Sequence, residues 1–296
     1  MQPLRLALIQ THWPGERQAM NATYRYLVQQ AAQAGAQLVC LPEFSISPYF
    51  PGTTDPRGFA WGEALPGGES EQFFSELARE NNIFVVGSLY ERLTTAAPDS
   101  TNLTDYRDTA TIHAPNGQML GYTRKVHIPS GKGYHETHFF MGESAYPVHN
   151  LGHIQLAVPT CYDQWFPEMA RICALNGAEL IFYPTAIGSE PTAPEVDSME
   201  SWQTVMRGHA IANGVFIAAA NRIGQENGVT FYGSSFICDP TGRMLAQASR
   251  NQTEIIMADL DPQTLTQWRK LFPLLQQRRP ETYLAISQST SQPSAF

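Results

Sequence analysis

Apolar residues recur along this chain with two spacings that take turns. Residues 4–10 are nearly continuous in apolar character, as in a strand buried on both faces. From 16 to 34 the spacing changes. Met20, Tyr24, Leu27, Ala31 and Ala34 fall four and three apart, one face of a helix that Gly35 ends. Gln37–Leu41 is again a short buried strand, closed by Pro42-Glu43. The pattern then predicts a helix over Glu69–Asn81 and a strand over Ile83–Leu89. A hairpin follows, Thr109–His113 and Met119–Val126 about the turn Pro115-Asn116-Gly117. Further on it predicts a strand at His153–Val158, a helix at Pro167–Asn176, a strand at Leu180–Tyr183 and a helix at Met199–Ala212. Val215–Ala220, Phe231–Cys238 and Glu254–Leu260 read as the remaining strands.

One segment is echoed. Gly35-Ala36-Gln37-Leu38-Val39-Cys40-Leu41-Pro42 resembles Gly177-Ala178-Glu179-Leu180-Ile181-Phe182-Tyr183-Pro184. Each reads as a helix-ending glycine, a short loop, a buried strand and a proline that stops pairing. Two such units imply two similar halves, hence two sheets packed together with helices outside. No linker-like stretch divides the chain, so 1–286 reads as one α/β domain. Residues 287–296 read from their polar composition as a flexible tail.

The formal net charge is -8 without any Lys/Arg-rich run, which argues against nucleic acid and anionic membrane surfaces as partners. The first ten residues hold too short an apolar run for a signal peptide, and no stretch approaches the roughly 18 apolar residues of a membrane helix. Cys40, Cys161, Cys173 and Cys238 are scattered without metal-ligand spacing, as expected of reduced thiols in a cytoplasmic protein. Charged residues are only 16%, sparse enough to suggest surface hidden in a homo-oligomer.

Three segments carry chemistry. In Pro159-Thr160-Cys161-Tyr162-Asp163-Gln164-Trp165-Phe166-Pro167-Glu168, a strand gives way to a turn, with Pro167 where a helix starts. A cysteine there lies near the positive end of a helix dipole, which favours thiolate, and the following N–H, on Tyr162, is placed to hold an oxyanion. Cys40, Cys173 and Cys238 sit in apolar stretches and read as structural. In Leu38-Val39-Cys40-Leu41-Pro42-Glu43-Phe44, a carboxylate follows a buried strand, and its apolar surroundings suit a general base. In Gly121-Tyr122-Thr123-Arg124-Lys125-Val126-His127, Lys125 ends a strand before a glycine-rich loop. Taken alone it reads as a surface lysine.

In the order Glu, Lys, Cys, each at a strand end, these segments resemble the nitrilase superfamily of carbon–nitrogen hydrolases over about residues 4–285. The resemblance is strongest to N-carbamoylputrescine amidohydrolases, enzymes of polyamine biosynthesis. It runs through Asp163–Glu168, Phe182–Pro191, Gly208-His209-Ala210, Asn221–Gly224, Phe231-Tyr232-Gly233 and Arg278-Arg279-Pro280. It implies a four-layer α-β-β-α sandwich and a homodimer or larger homo-oligomer. It also implies Cys161 as nucleophile, Glu43 as general base, Lys125 as oxyanion stabiliser and Glu136 as a second, positioning glutamate. No metal or organic cofactor is implied. The partner is a small carbamoyl or amide substrate.

Relatives acting on carbamoyl acids carry arginine three residues after the nucleophile, where its fork can hold a carboxylate. This chain has Gln164 there, and Glu190 offers an acidic group for an amine. With Trp165 these are the expected substrate contacts, and N-carbamoylputrescine, hydrolysed to putrescine, CO2 and ammonia, is the expected substrate. Departures from the putrescine-type pattern are Phe44–Phe50 after the glutamate, Tyr162 in place of tryptophan, Pro159-Thr160 before the nucleophile, and Lys132, whose charge would repel an amine. Alternatives are an N-carbamoyl-β-alanine or ω-amide hydrolase, a nitrilase, or an inactive binding subunit, although that last reading expects one of the three residues to be lost. His135-Glu136-Thr137-His138 spaces its histidines three apart and so does not fit the zinc motif that needs four.

Overall fold

The computed structural model describes residues 3–288. The first half of the chain runs β1 (Leu4–Gln10), α1 (Arg17–Gln33), β2 (Leu38–Cys40), β3 (Glu63–Ala64), α2 (Glu69–Asn81), β4 (Phe84–Arg92), β5 (Tyr106–His113) and β6 (Met119–Arg124). The second half starts with β7 (His149–Asn150), β8 (Gln155–Ala157), α3 (Pro167–Leu175), β9 (Leu180–Pro184), α4 (Met199–Asn213) and β10 (Phe216–Ala220). It ends with β11 (Ile223–Glu226), β12 (Val229–Tyr232), β13 (Phe236–Cys238), β14 (Met244–Gln247), β15 (Glu254–Leu260) and α5 (Pro262–Leu271).

One sheet has the order β15-β1-β2-β4-β5-β6, with β3 attached to β4; the other has the order β14-β13-β10-β9-β8-β7. Successive side chains of a strand point to opposite faces, and that alternation builds the layers. Leu6, Leu8, Leu38 and Cys40 of the first sheet meet Leu180, Phe182, Phe216 and Ala218 of the second in one core between the sheets. Their neighbours Ala7, Ile9 and Val39 turn the other way, under Tyr24 and Val28 of α1 and Phe74 and Leu77 of α2. Ile181, Tyr183, Ile217 and Ala219 lie under Met169 of α3 and Trp202 and Met206 of α4. The result is the expected α-β-β-α sandwich. Each fully buried leucine or isoleucine contributes roughly 1.5–3 kcal/mol, so strands apolar on both faces are stable only as interior members.

The echoed segments occupy equivalent places. β2 lies parallel between β1 and β4, and β9 lies parallel between β8 and β10. Gly35 and Gly177 take φ of +89° and +100°, and the following amides, Ala36 and Ala178, each reach back 3.0 Å to a carbonyl of the preceding helix. Pro159, two residues past the end of β8, removes no ladder hydrogen bond.

Phe231–Cys238 is not one strand. The chain breaks at Gly233 and Ser234, with φ of +56° and +59°, so that β12 pairs with β11 in a separate ribbon while β13 joins the main sheet. A Cβ at Gly233 would lie 2.7 Å from Ile223 and 2.9 Å from Gln10, so no other residue fits this corner. Helix α5 has few apolar residues, with Leu265 alone buried. Its signal lies in the cap: Asp261 accepts from the Gln263 amide at 2.9 Å and Pro262 opens the first turn.

Ser287, where the tail was expected to begin, closes a turn over Leu284–Ser287; residues 289–296, most of that tail, lie outside the described residues. No helix among the described residues is long and apolar enough to cross a membrane.

Candidate active site

Lys125 directly follows β6. Its amide continues the ladder by donating to the Asp108 carbonyl at 2.9 Å, which sends the side chain inward. Its Nζ donates to Glu43 Oε1 at 2.8 Å and to Glu136 Oε2 at 2.5 Å, and all three side chains are fully buried. Tyr49 donates its hydroxyl to the other oxygen of Glu136 at 2.9 Å. Glu43 stands three residues beyond β2 in a loop held against β4: Phe44 N donates to Ser88 Oγ at 3.0 Å and Ser45 N to the Ser88 carbonyl at 2.9 Å. Thus the lysine that reads as a surface residue in isolation is an interior cation.

The charges follow from that geometry. Burial opposes the ammonium of Lys125, but the carboxylates of Glu136 and Glu43 outweigh it and hold its pKa well above the ordinary lysine range. Burial pushes Glu136 up to about 7 against the pull of Lys125.

Cys161 takes φ of +43°, a left-handed conformation that costs a non-glycine residue on the order of 1–3 kcal/mol and marks functional corners. Asp163 fixes the corner. Its carboxylate accepts from the amides of Thr160 (3.1 Å), Val126 (3.2 Å) and His127 (2.8 Å) and pairs with His127 Nδ1 at 2.7 Å. One side chain therefore ties the cysteine turn to the segment that follows Lys125. The helix expected to favour a thiolate does not begin at the cysteine. The turn Cys161–Trp165 is a short 3-10 helix and α3 starts only at Pro167. Burial, and then the charge of Glu43, push the thiol well above the ordinary range, with Lys125 opposing. An attack from the thiol state therefore needs an acceptor for the proton.

A cavity of about 190 Å³ opens beside Cys161, lined among others by Tyr134, Glu136, Gln164, Trp165 and Glu190. Tyr162 follows the cysteine in the first turn of the 3-10 helix. Gln164 is fully buried: Oε1 accepts from Thr185 Oγ1 at 3.1 Å, its carbonyl meets His209 Nε2 at 3.0 Å, and its Nε2 has no partner. Glu190 is met by Ser198 Oγ at 3.3 Å. No lysine or arginine is among the described side chains lining the cavity, and Lys132 is solvent-exposed in the loop between the lining residues Ser130 and Tyr134.

The expected site residues are thus brought together, and Asp108, Tyr49, Asp163 and Arg222 join them without having been singled out from sequence. Asp108 carried a signal, a lone carboxylate inside a strand, but no spacing that links it to Glu43. Among the described residues, the one cluster of three or more metal-ligand types is Glu43, Asp108 and Glu136, and the Lys125 ammonium sits within it.

Residues 5–270 match the family model described as carbon-nitrogen hydrolase. The chain belongs to the carbon-nitrogen hydrolase family. This carbon-nitrogen hydrolase is 36% identical over 288 residues to a citrullinase of Francisella tularensis, covering 96% of this chain and 98% of that protein. It is 37% identical over 274 residues to an N-carbamoylputrescine amidase of Solanum lycopersicum, covering 90% and 88%. The crystal structure of a carbon-nitrogen hydrolase from Helicobacter pylori G27 superposes with a TM-score of 0.88 at 33% identity, covering 97% of this chain and 99% of that one.

Proposed function

We propose that the chain hydrolyses the ureido group of a small aliphatic amine, with N-carbamoylputrescine as the substrate that fits best. The observation that carries this is the lining of the cavity beside Cys161. Glu190 supplies an anion, no lysine or arginine is among the described residues lining the wall, and a distal ammonium is paired there while a carboxylate is not. The N-carbamoylputrescine amidase of S. lycopersicum supports the same reading by its likeness over most of its length.

In this mechanism Cys161 Sγ attacks the carbamoyl carbon as Glu43 takes the thiol proton. The Lys125 ammonium and the Tyr162 N–H stabilise the oxyanion. The C–N bond then breaks, and the leaving nitrogen departs with the proton that Glu43 returns. Glu43 next activates water against the S-carbamoyl cysteine, a thiocarbamate, which frees Cys161 and releases a carbamic acid; its breakdown to CO2 and the second nitrogen product gives putrescine, CO2 and ammonia in total. Glu136, held by Tyr49, fixes the lysine.

A ureido amino acid such as citrulline is the second reading. It shares the ureido group and the distal ammonium, and the unpartnered Nε2 of Gln164 is a donor for its carboxylate. The test is ammonia release from N-carbamoylputrescine, citrulline, N-carbamoyl-β-alanine, an ω-amide and a nitrile. Highest kcat/KM on N-carbamoylputrescine is expected. Preference for the carbamoyl acid or the nitrile overturns the proposal. Exposed Leu284 (71%) and Ile286 (64%) beyond α5 support the homo-oligomer expected from the sequence.

A further inference from the structure

Asp108 sits mid-strand in β5 with no exposed surface. Its Oδ1 accepts from Ser88 Oγ on β4 at 3.2 Å, and its Oδ2 lies 3.5 Å from Lys125 Nζ without hydrogen-bonding to it. Glu43 has the complementary vacancy: Oε1 is taken by Lys125, while Oε2 is buried without a partner. One oxygen from each of Glu43, Asp108 and Glu136 lies within 4.8 Å of the others. Around this point stand Lys125 from the end of β6, Glu136 from the following turn, Glu43 from the loop after β2, and Ser88 and Tyr90 from β4, of which Tyr90 spends its hydroxyl on the Phe139 carbonyl. Among the described residues Lys125 is thus the one cation paired with these three buried carboxylates. Were all three ionised, the cluster would hold two uncompensated negative charges, a costly state in the interior.

We propose that Asp108 is a positioning residue of the reaction, a neutral carboxylic acid whose proton bridges its Oδ2 to the free Oε2 of Glu43 and so orients the base. One proton then satisfies both orphaned oxygens, removes one of the two excess charges, and leaves Glu43 ionised to receive the thiol proton. Burial, and then the charge of Glu43, favour the neutral acid, with Lys125 opposing. A buried acid kept neutral so that it can donate is an established use of an apolar site. The inference rests on the role given to Glu43 above.

Two measurements on the full chain test it. Infrared difference spectroscopy of the resting enzyme against Asp108→Asn should show a carboxylic-acid C=O band that the variant lacks. Because this needs no substrate, it stands even if the proposed activity fails. In kinetics, Asp108→Asn keeps a donor facing Glu43 and a carbonyl facing Ser88, and should hold kcat within about threefold, whereas Asp108→Ala should lose about 10- to 100-fold in kcat with KM little changed. The proposal is overturned if no such band is removed by Asp108→Asn, if Asn is as damaging as Ala, or if Ala retains full activity. Should Asp108→Ala not fold, the infrared band and the Asp108→Asn kinetics decide.

Discussion

Arg222 holds the backbone of Glu43 in place: its Nε donates to the Glu43 carbonyl at 3.2 Å, from 179 residues further along the chain. The same guanidinium donates to the carbonyls of Phe44 at 2.7 Å and Ser47 at 2.5 Å, and its third arm meets Glu226 at 2.6 Å. Glu226 in turn accepts from the Tyr49 amide at 2.7 Å. The loop that carries the proposed base is therefore built on a buried ion pair from the β11 hairpin. Arg222→Met removes three carbonyl partners and leaves Glu226 unpaired, and should cost about 3–5 kcal/mol in urea unfolding. Adding Glu226→Gln should recover part of that loss, and additive losses would show that the pair is not coupled.

Cys161→Ala should lower kcat by at least about a thousandfold while leaving the circular dichroism spectrum unchanged, since a covalent catalyst without its nucleophile has no substitute route. Activity within tenfold of wild type would refute the mechanism. Iodoacetamide should modify Cys161 ahead of the other three thiols. The reason is access: Cys161 lines the cavity, whereas Cys40, Cys173 and Cys238 are packed among apolar side chains. Peptide mapping with equal labelling of all four would contradict it.

Glu190→Gln should reduce kcat/KM for N-carbamoylputrescine by about tenfold or more and leave N-carbamoyl-β-alanine nearly unaffected, because only the amine loses a charged partner. Gln164→Arg should raise activity on the carbamoyl acid by giving its carboxylate a forked donor. If neither change alters the ratio of the two substrates, the charge assignment of the cavity is wrong.

His113 gives the fold a pH dependence. Burial lowers its pKa from 6.5 to about 4. The folded protein keeps this ring neutral while the unfolded chain binds a proton, so stability falls as pH drops from 6.5 towards 4, by at most about 3 kcal/mol. Above pH 6.5 both states are neutral and the contribution is flat. Denaturant unfolding at a series of pH values should show a shallower acid loss in His113→Gln than in wild type. Parallel curves would assign the acid loss to other groups.

Much of this protein was legible in its sequence because the signals are local. The spacing of Met20, Tyr24, Leu27 and Ala31 is a property of one helix, and the unbroken apolar runs of β1 and β9 require burial on both faces whatever covers them. The α-β-β-α layering follows from two such strand sets, whereas Glu43, Lys125 and Cys161, each at a strand end, were legible only together, through their resemblance to the nitrilase superfamily, since Lys125 alone reads as a surface residue. Local pattern failed where a distant element decides. Phe231–Cys238 is continuous in hydrophobicity, but Gln10 and Ile223 crowd Gly233 and turn the chain out of the sheet. The electrostatic setting of Cys161 and Asp108 is the furthest from sequence. It depends on how completely two sheets exclude water and on how many carboxylates share one ammonium, and only packing of residues 43, 108, 125, 136 and 161 into one point settles that balance.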